Sequence, residues 1–490
     1  MPPENTSIVI IGAGPAGIGM AVELLRRGIT DFTVLEKADA VGGTWRDNRY
    51  PGVACDVPAL YYGYSFAPNT AARSTFASGA ELLDYFQGVA SANDVLPHVH
   101  HGVEVASAVW DGTGWDVEST TGERWHADIV ITAVGRLHRP RFPDIPGLAD
   151  FTGLLAHSAQ WDPTTDLHGR RLGIIGTGSS AVQMVVGASP VVEHLDLFQR
   201  TPQWVYPLAD EPLPEQVRAH LAASPEAARA AYDAIEKQIA AAADAMVNGD
   251  QVRIDERDDA VRAALAGVRD PELRRKLTPG YEIGCKRLVV SGKFYDAVQQ
   301  ENVELVTEGI ERIEADGVRT VDGVLHRLDT LILATGFRAD AFLRPMRVVG
   351  EDGVDLDTVW ADTFTNYKSV AIPHMPNFFT INGPFSPGGS LSILTVIEQH
   401  IGYVLQLVDT IRAQRVAVVP DTDRTQELFD EVREKATKTV WFTGGCQSWY
   451  LGADGLPIVA PLTLDQLRED MRRPVLDDFD ITPLPAGASS

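Results

Sequence analysis

Short runs of consecutive apolar, often β-branched residues recur along the chain and close on glycine. Ser7–Ile11 precedes Gly12, Ile129–Val134 precedes Gly135, Leu172–Ile175 precedes Gly176, and Thr330–Ala334 leads to Gly336. Continuous rather than alternating hydrophobicity predicts strands buried on both faces, as in a parallel sheet. After Gly12 the apolar period becomes helical as far as Arg27, where Gly28 is placed to end the helix, and a second strand follows at Phe32–Leu35. Leu195–Gln199 stands in the same relation to Leu172–Ile175, and Val303–Val306 adds a further strand. Alternation over Val103–Val109 and Trp115–Ser119 predicts an antiparallel hairpin. From Leu213 to about Leu277 the pattern turns helical, most clearly over Ala227–Met246, and Ser392–Leu407 predicts another long helix.

The two strand–turn–helix–strand stretches carry glycine signatures. Gly12, Gly14 and Gly17 spell G-x-G-x-x-G; Gly176, Gly178 and Ala181 spell G-x-G-x-x-A, with Ser179 and Ser180 inside the second turn. Such a turn brings backbone N–H groups and a helix N-terminus against a diphosphate. Glu36 lies 22 residues past Gly14, and Arg200, followed by Thr201, lies 22 past Gly178. A carboxylate at that position accepts ribose hydroxyls and repels a 2′-phosphate; a guanidinium grips one. The spacing therefore predicts FAD in the first module and NADP(H) in the second. The fold class is α/β, with two Rossmann-like dinucleotide-binding domains and a helical insertion. The expected division is 1–148 and 330–490 for the FAD domain, 149–204 and 280–329 for the NADP domain, and 205–279 for the insertion, read as a cap on the NADP module.

The length of 490 residues suits about three folding units. A formal charge of −25 argues against nucleic acid and anionic membrane surfaces as partners. Cys55, Cys285 and Cys446 are odd in number and far apart in sequence, so neither a disulfide framework nor a metal cluster is expected and a reducing, cytoplasmic setting fits. The N-terminus shows no signal peptide, and no stretch reads as a membrane span. Oligomeric state is left open.

Two further strings decide the chemistry. Residues 42–56 read GGTWRDNRYPGVACD, and residues 151–162 read FTGLLAHSAQWD, with Phe151, Gly153, His157, Trp161 and Asp162 at fixed spacing. Taken singly, Gly153 is a turn, His157 a buried histidine, Trp161 core and Asp56 a loop carboxylate. Together they resemble the fingerprint of the type I Baeyer–Villiger monooxygenases. Related flavin-containing and N-hydroxylating monooxygenases share the Phe-Gly-His core but usually lack the Trp-Asp ending.

The resemblance implies an NADPH- and O2-dependent FAD enzyme that inserts oxygen beside a ketone carbonyl, giving an ester or lactone. It implies flavin contacts at Gly43, Thr44, Trp45 and Tyr62, an adenine contact through the Val105 backbone, and Ile393 near the isoalloxazine. It carries an active-site carboxylate to Asp56, the active-site arginine to Arg287, a 2′-phosphate contact to Lys286, and an NADP ribose contact to Trp449. Cys285 reads as a packing residue and His400 as structural. Arg338 stands where the family often has an acid, Val134 replaces a threonine, and the family's C-terminal substrate-lining stretch is short. Pro483–Ser490 reads as a frayed tail. A nitrogen- or sulfur-oxygenating flavoenzyme and an NADPH oxidase remain as alternatives.

Overall fold

The computed structural model describes residues 4–388, 391–452 and 454–485. The strands before Gly12 and Gly176 lie inside two separate sheets. In the first, Glu4–Ile11 runs parallel between Phe32–Glu36 and Arg124–Thr132, with Ile10 opposite both Val34 and Ile131. Val99–His101 extends one side; the other side continues through Trp115–Ser119 and Val105–Trp110, an antiparallel hairpin, to Arg347–Val349. Phe378–Thr380 joins beside the end of Arg124–Thr132.

The second sheet is wholly parallel, in the order Val303–Val306, His194–Phe198, Arg171–Ile175, Thr330–Leu333, Leu154–His157. This corrects one expectation. Thr330–Leu333 belongs to the second module: it pairs in parallel with both Arg171–Ile175 and Leu154–His157, and Ile332 packs into that module's core. The chain recrosses to the first module just afterwards. There the outgoing segment pairs with the returning one: Arg141 N donates to Gly336 O at 2.9 Å and Arg338 N to Arg139 O at 2.9 Å.

Helices Pro15–Arg26, Gly79–Ala92 and Ile393–Gln414 pack together with the first sheet. Helix contact is close at Gly19, where an added Cβ would lie 3.0 Å from the Tyr64 ring and 3.1 Å from Ile401. The insertion contains helices Glu215–Ala223, Pro225–Asn248, Gln251–Ala266 and Pro271–Leu277. It does not cap the NADP module alone. Tyr232, Ala240 and Ala243 enter the first module's core, and Tyr232 meets Tyr61 edge-on at 5.1 Å, whereas Val261 and Leu265 enter the second core. The insertion therefore straddles both modules, because its helices bury apolar stripes against different neighbours.

Among the described residues no helix is long and apolar enough to cross a membrane. The cysteine expectation is also corrected. Cys285 and Cys446 form a disulfide across 161 residues, brought to a Cα separation of 6.1 Å as Glu282 N donates to Gly444 O. Distance along the chain did not reveal closeness in the fold, and composition no longer argues for a reducing compartment. The expected tail begins in regular structure: Pro483 closes the strand Phe479–Pro483, which pairs antiparallel with Val416–Pro420, while residues 486–490 lie outside the described residues.

Candidate active site

The first glycine turn opens onto a cavity of about 500 Å³. Gly12 adopts φ +102°, and an added Cβ on Gly17 would stand 1.9 Å from Gly12 O, so both positions require glycine. Helix Pro15–Arg26 starts at Gly14 without a side-chain cap, leaving its first N–H groups toward the cavity for a ligand. Gly43, at φ +52°, crosses directly over Gly14. Glu36 is buried at the rim; it accepts from Ala13 N at 2.7 Å and Ala38 N at 3.0 Å, and pairs with Arg46 at 3.1 Å. Thr44, Trp45, Tyr62, Val105 and Ile393 line the same cavity, the Trp45 and Tyr62 rings meeting edge-on at 5.5 Å.

The second turn differs. Gly176 has φ +126° with Ala334 O pressed against it, but an added Cβ on Gly178 would meet nothing within 4 Å. Ser179 and Ser180, at the start of helix Ser179–Ala188, reach the cavity wall, while Gly176, Gly178, Arg200, Thr201 and Lys286 do not. They gather outside it: Thr177 Oγ1 donates to Thr201 O at 2.7 Å, and Arg200 lies near enough to depress the Lys286 pKa. Burial is the larger cause of that depression. The Lys286 ammonium sits 4.8 Å above the Tyr281 ring. Two cations held together on an open surface form a place for a phosphate.

Where the modules meet, Arg287 Nη2 donates to both oxygens of Asp56, at 2.9 and 2.8 Å, on the cavity wall. The Asp56 charge raises the Arg287 pKa above even its usual value, outweighing desolvation. Water reaches 39 % of the Arg287 side chain, which lines the cavity. The loop carrying Asp56 is held against the second module. Tyr50 Oη donates to Gln183 at 2.9 Å, Gln183 Nε2 donates to Ala54 O at 2.9 Å, and an added Cβ on Gly187 would lie 2.7 Å from Gly52 N. The Cys285–Cys446 bond joins the loop of Lys286 and Arg287 to the segment bearing Trp449, which also lines the cavity.

None of the five residues at 151–162 touches the cavity. His157 is fully buried; its Nδ1 accepts from Ala159 N at 3.1 Å, so Nε2 carries the proton and donates to Gly336 O at 3.0 Å. Burial lowers its pKa, keeping it neutral. The same Gly336 oxygen accepts from Arg141 N, so His157 pins the paired segments that cross between modules. Gly153 admits Asp329 O at 2.3 Å from an added Cβ, Phe151 and Trp161 are core, and Asp162 caps a turn through Thr164.

A family model described as pyridine nucleotide-disulphide oxidoreductase matches residues 9–211. A monooxygenase of Mycobacterium tuberculosis is 42% identical over 97% of this chain and 96% of its own. A Baeyer–Villiger monooxygenase of Streptomyces coelicolor is 38% identical over 99% of this chain and 94% of its own. The chain belongs to the Baeyer–Villiger monooxygenases. Its architecture agrees: cyclohexanone monooxygenase from Rhodococcus sp. Phi1 bound to NADP+ superposes with a TM-score of 0.86 at 28% identity, covering 98% of this chain and 100% of that one.

FAD and NADP(H) are the cofactors of this Baeyer–Villiger monooxygenase, and its residues fit them. The cavity joins an uncapped helix, a buried carboxylate and an apolar aromatic wall, while the second turn leaves open the space that a Cβ on Gly178 would fill. His400 is structural: it is fully buried, accepts from Asn382 N at 3.1 Å, and has its pKa pushed down to about 3 by desolvation. The sequence reading missed Arg136, a buried guanidinium on the cavity wall. The available signal was its position at the carboxyl end of a parallel strand, where open α/β sheets bind ligands.

Proposed function

We propose that Asp56 and Arg287 form the reaction centre of a ketone-oxygenating enzyme, with NADPH as reductant and O2 as the oxygen source. Their bidentate pair on the wall shared by both modules carries this reading. Bound FAD supplies the redox chemistry that turns NADPH electrons and O2 into an oxygen nucleophile. Arg287 offers a cation that stays protonated at any working pH, suited to an anionic oxidant and then to charge developing on the carbonyl oxygen. Asp56 holds the guanidinium in place by accepting from Nη2 with both of its oxygens. Tyr62, Trp45 and Ile393 provide an apolar wall that limits water. Arg200 and Lys286 select the 2′-phosphate of NADPH, and Glu36 the ribose of FAD.

Replacing Arg287 with alanine tests the assignment. FAD content and NADPH-dependent flavin bleaching should persist, while ester formation falls by about 100-fold or more, the scale of losing one fixed donor to developing negative charge. Unimpaired ketone turnover would remove Arg287 from the mechanism. Comparing a ketone with a thioether separates carbonyl insertion from sulfur oxygenation, in which Arg287 would matter little.

A further inference from the structure

Arg136 is a further guanidinium on the cavity wall, and its surroundings are unlike those of Arg287. It is 8 % exposed, follows the buried strand Arg124–Thr132, and lines the cavity. Nη2 donates to Gly383 O at 3.2 Å, Nε has no acceptor among the described residues, and no carboxylate forms a salt bridge with it there. Two rings flank it, Phe342 with its centroid at 5.3 Å and Trp449 at 5.6 Å. Phe342 holds φ +45°, an uncommon conformation for a bulky residue and one that gathers at ligand sites. Desolvation lowers the Arg136 pKa to about 10, so it stays charged near neutrality. A buried cation without a counter-charge is unfavourable by several kcal/mol, and an apolar side chain would fill the place without that cost. The charge makes sense if an anion arrives. Tyr450 lies close enough to act on both Arg136 and Arg287, and all three line the cavity.

Resting on the Baeyer–Villiger reading, we infer that Arg136 binds an anionic group of the substrate, a carboxylate in the simplest case, so that the ketones this enzyme prefers are keto acids oriented with the carbonyl toward Arg287. The guanidinium supplies charge-assisted hydrogen bonds to the acid, and Phe342 and Trp449 enclose the chain between acid and ketone.

The test uses FAD-loaded enzyme and a homologous series of (ω−1)-oxo carboxylates, which end in methyl ketones, each beside its methyl ester. For at least one chain length, kcat/KM for the acid should exceed that for the ester by about 10- to 100-fold, the range for a hydrogen bond to a charged group. Arg136→Met should abolish or invert that ratio, and Arg136→Lys should restore part of it. Calorimetric titration of the same pairs into the NADP+-bound enzyme gives an answer independent of turnover, with tighter binding of the acid expected. If esters are oxygenated but acids are not favoured at any length, or if Arg136→Met leaves the ratio unchanged, the inference is overturned while the Baeyer–Villiger reading stands. If neither is oxygenated, that reading falls, and the calorimetry still decides whether Arg136 selects anions. Loss of FAD from Arg136→Met, together with equal binding of acid and ester, would assign the guanidinium to a cofactor phosphate and overturn the inference.

Discussion

The two glycine turns of this chain share a strand, a helix and a charged residue at the same offset, yet they are built for different residents. Around the first, Glu36 is buried, held by two backbone N–H groups and Arg46, at the rim of a deep cavity. Around the second, Arg200 is exposed beside Lys286, outside that cavity. A buried acidic site suits a cofactor that stays, and an exposed basic one suits a cofactor that comes and goes. One scaffold becomes two sites by changing a charge and its cover.

The steric contrast offers the largest effect. Gly17→Val drives a side chain into Gly12 O and should yield no folded, FAD-loaded protein, measured by flavin absorbance after purification. Gly178→Ala should fold as the parent does, within about 0.5 kcal/mol, but bind NADPH more weakly because the methyl fills the space a diphosphate would use. Equal behaviour of the two variants would erase the distinction. Next, Glu36→Gln removes a charge that faces Arg46 and should weaken FAD retention about 10- to 100-fold in equilibrium dialysis, with the NADPH KM unmoved. Arg200→Gln should do the reverse: the KM for NADPH rises about 10-fold or more while that for NADH barely changes. A variant that loses both nucleotides alike would show that Arg200 does not read the phosphate.

The smallest effect is one of pH. Burial and Arg200 hold Lys286 below the ordinary lysine pKa, so its ammonium is fully charged at low pH and is lost earlier than usual as pH rises. NADPH affinity should therefore weaken on the alkaline side while FAD retention stays level. Lys286→Arg, which keeps its charge, should flatten that limb; an alkaline limb that persists in this variant would move the titration elsewhere.

Much of this contrast was legible in the chain. Buried parallel strands announce themselves as unbroken apolar runs, and the opposite charges of Glu36 and Arg200 at one offset need no coordinates to be read. The fold withheld what depends on distant neighbours. Thr330–Leu333 looks alike whichever sheet receives it, and Cys285 and Cys446 meet where Glu282 N donates to Gly444 O, a pairing of segments far apart in the chain. The stretch 151–162 stood out as important, but its spacing did not say that His157 fastens the crossing segments instead of facing the cavity. Arg136 was overlooked for a different reason: its place after a parallel strand was a signal, but an arginine there is ordinary until burial without a carboxylate makes it costly.

The most direct measurement is a single turnover. FAD-loaded enzyme is reduced anaerobically with NADPH, then mixed with 18O2 and a ketone, and the products are examined by mass spectrometry. Ester or lactone carrying one 18O atom, formed in proportion to the flavin and with little H2O2, is the predicted result. Stoichiometric H2O2 with the ketone recovered unchanged, across acids and neutral ketones alike, would contradict the account.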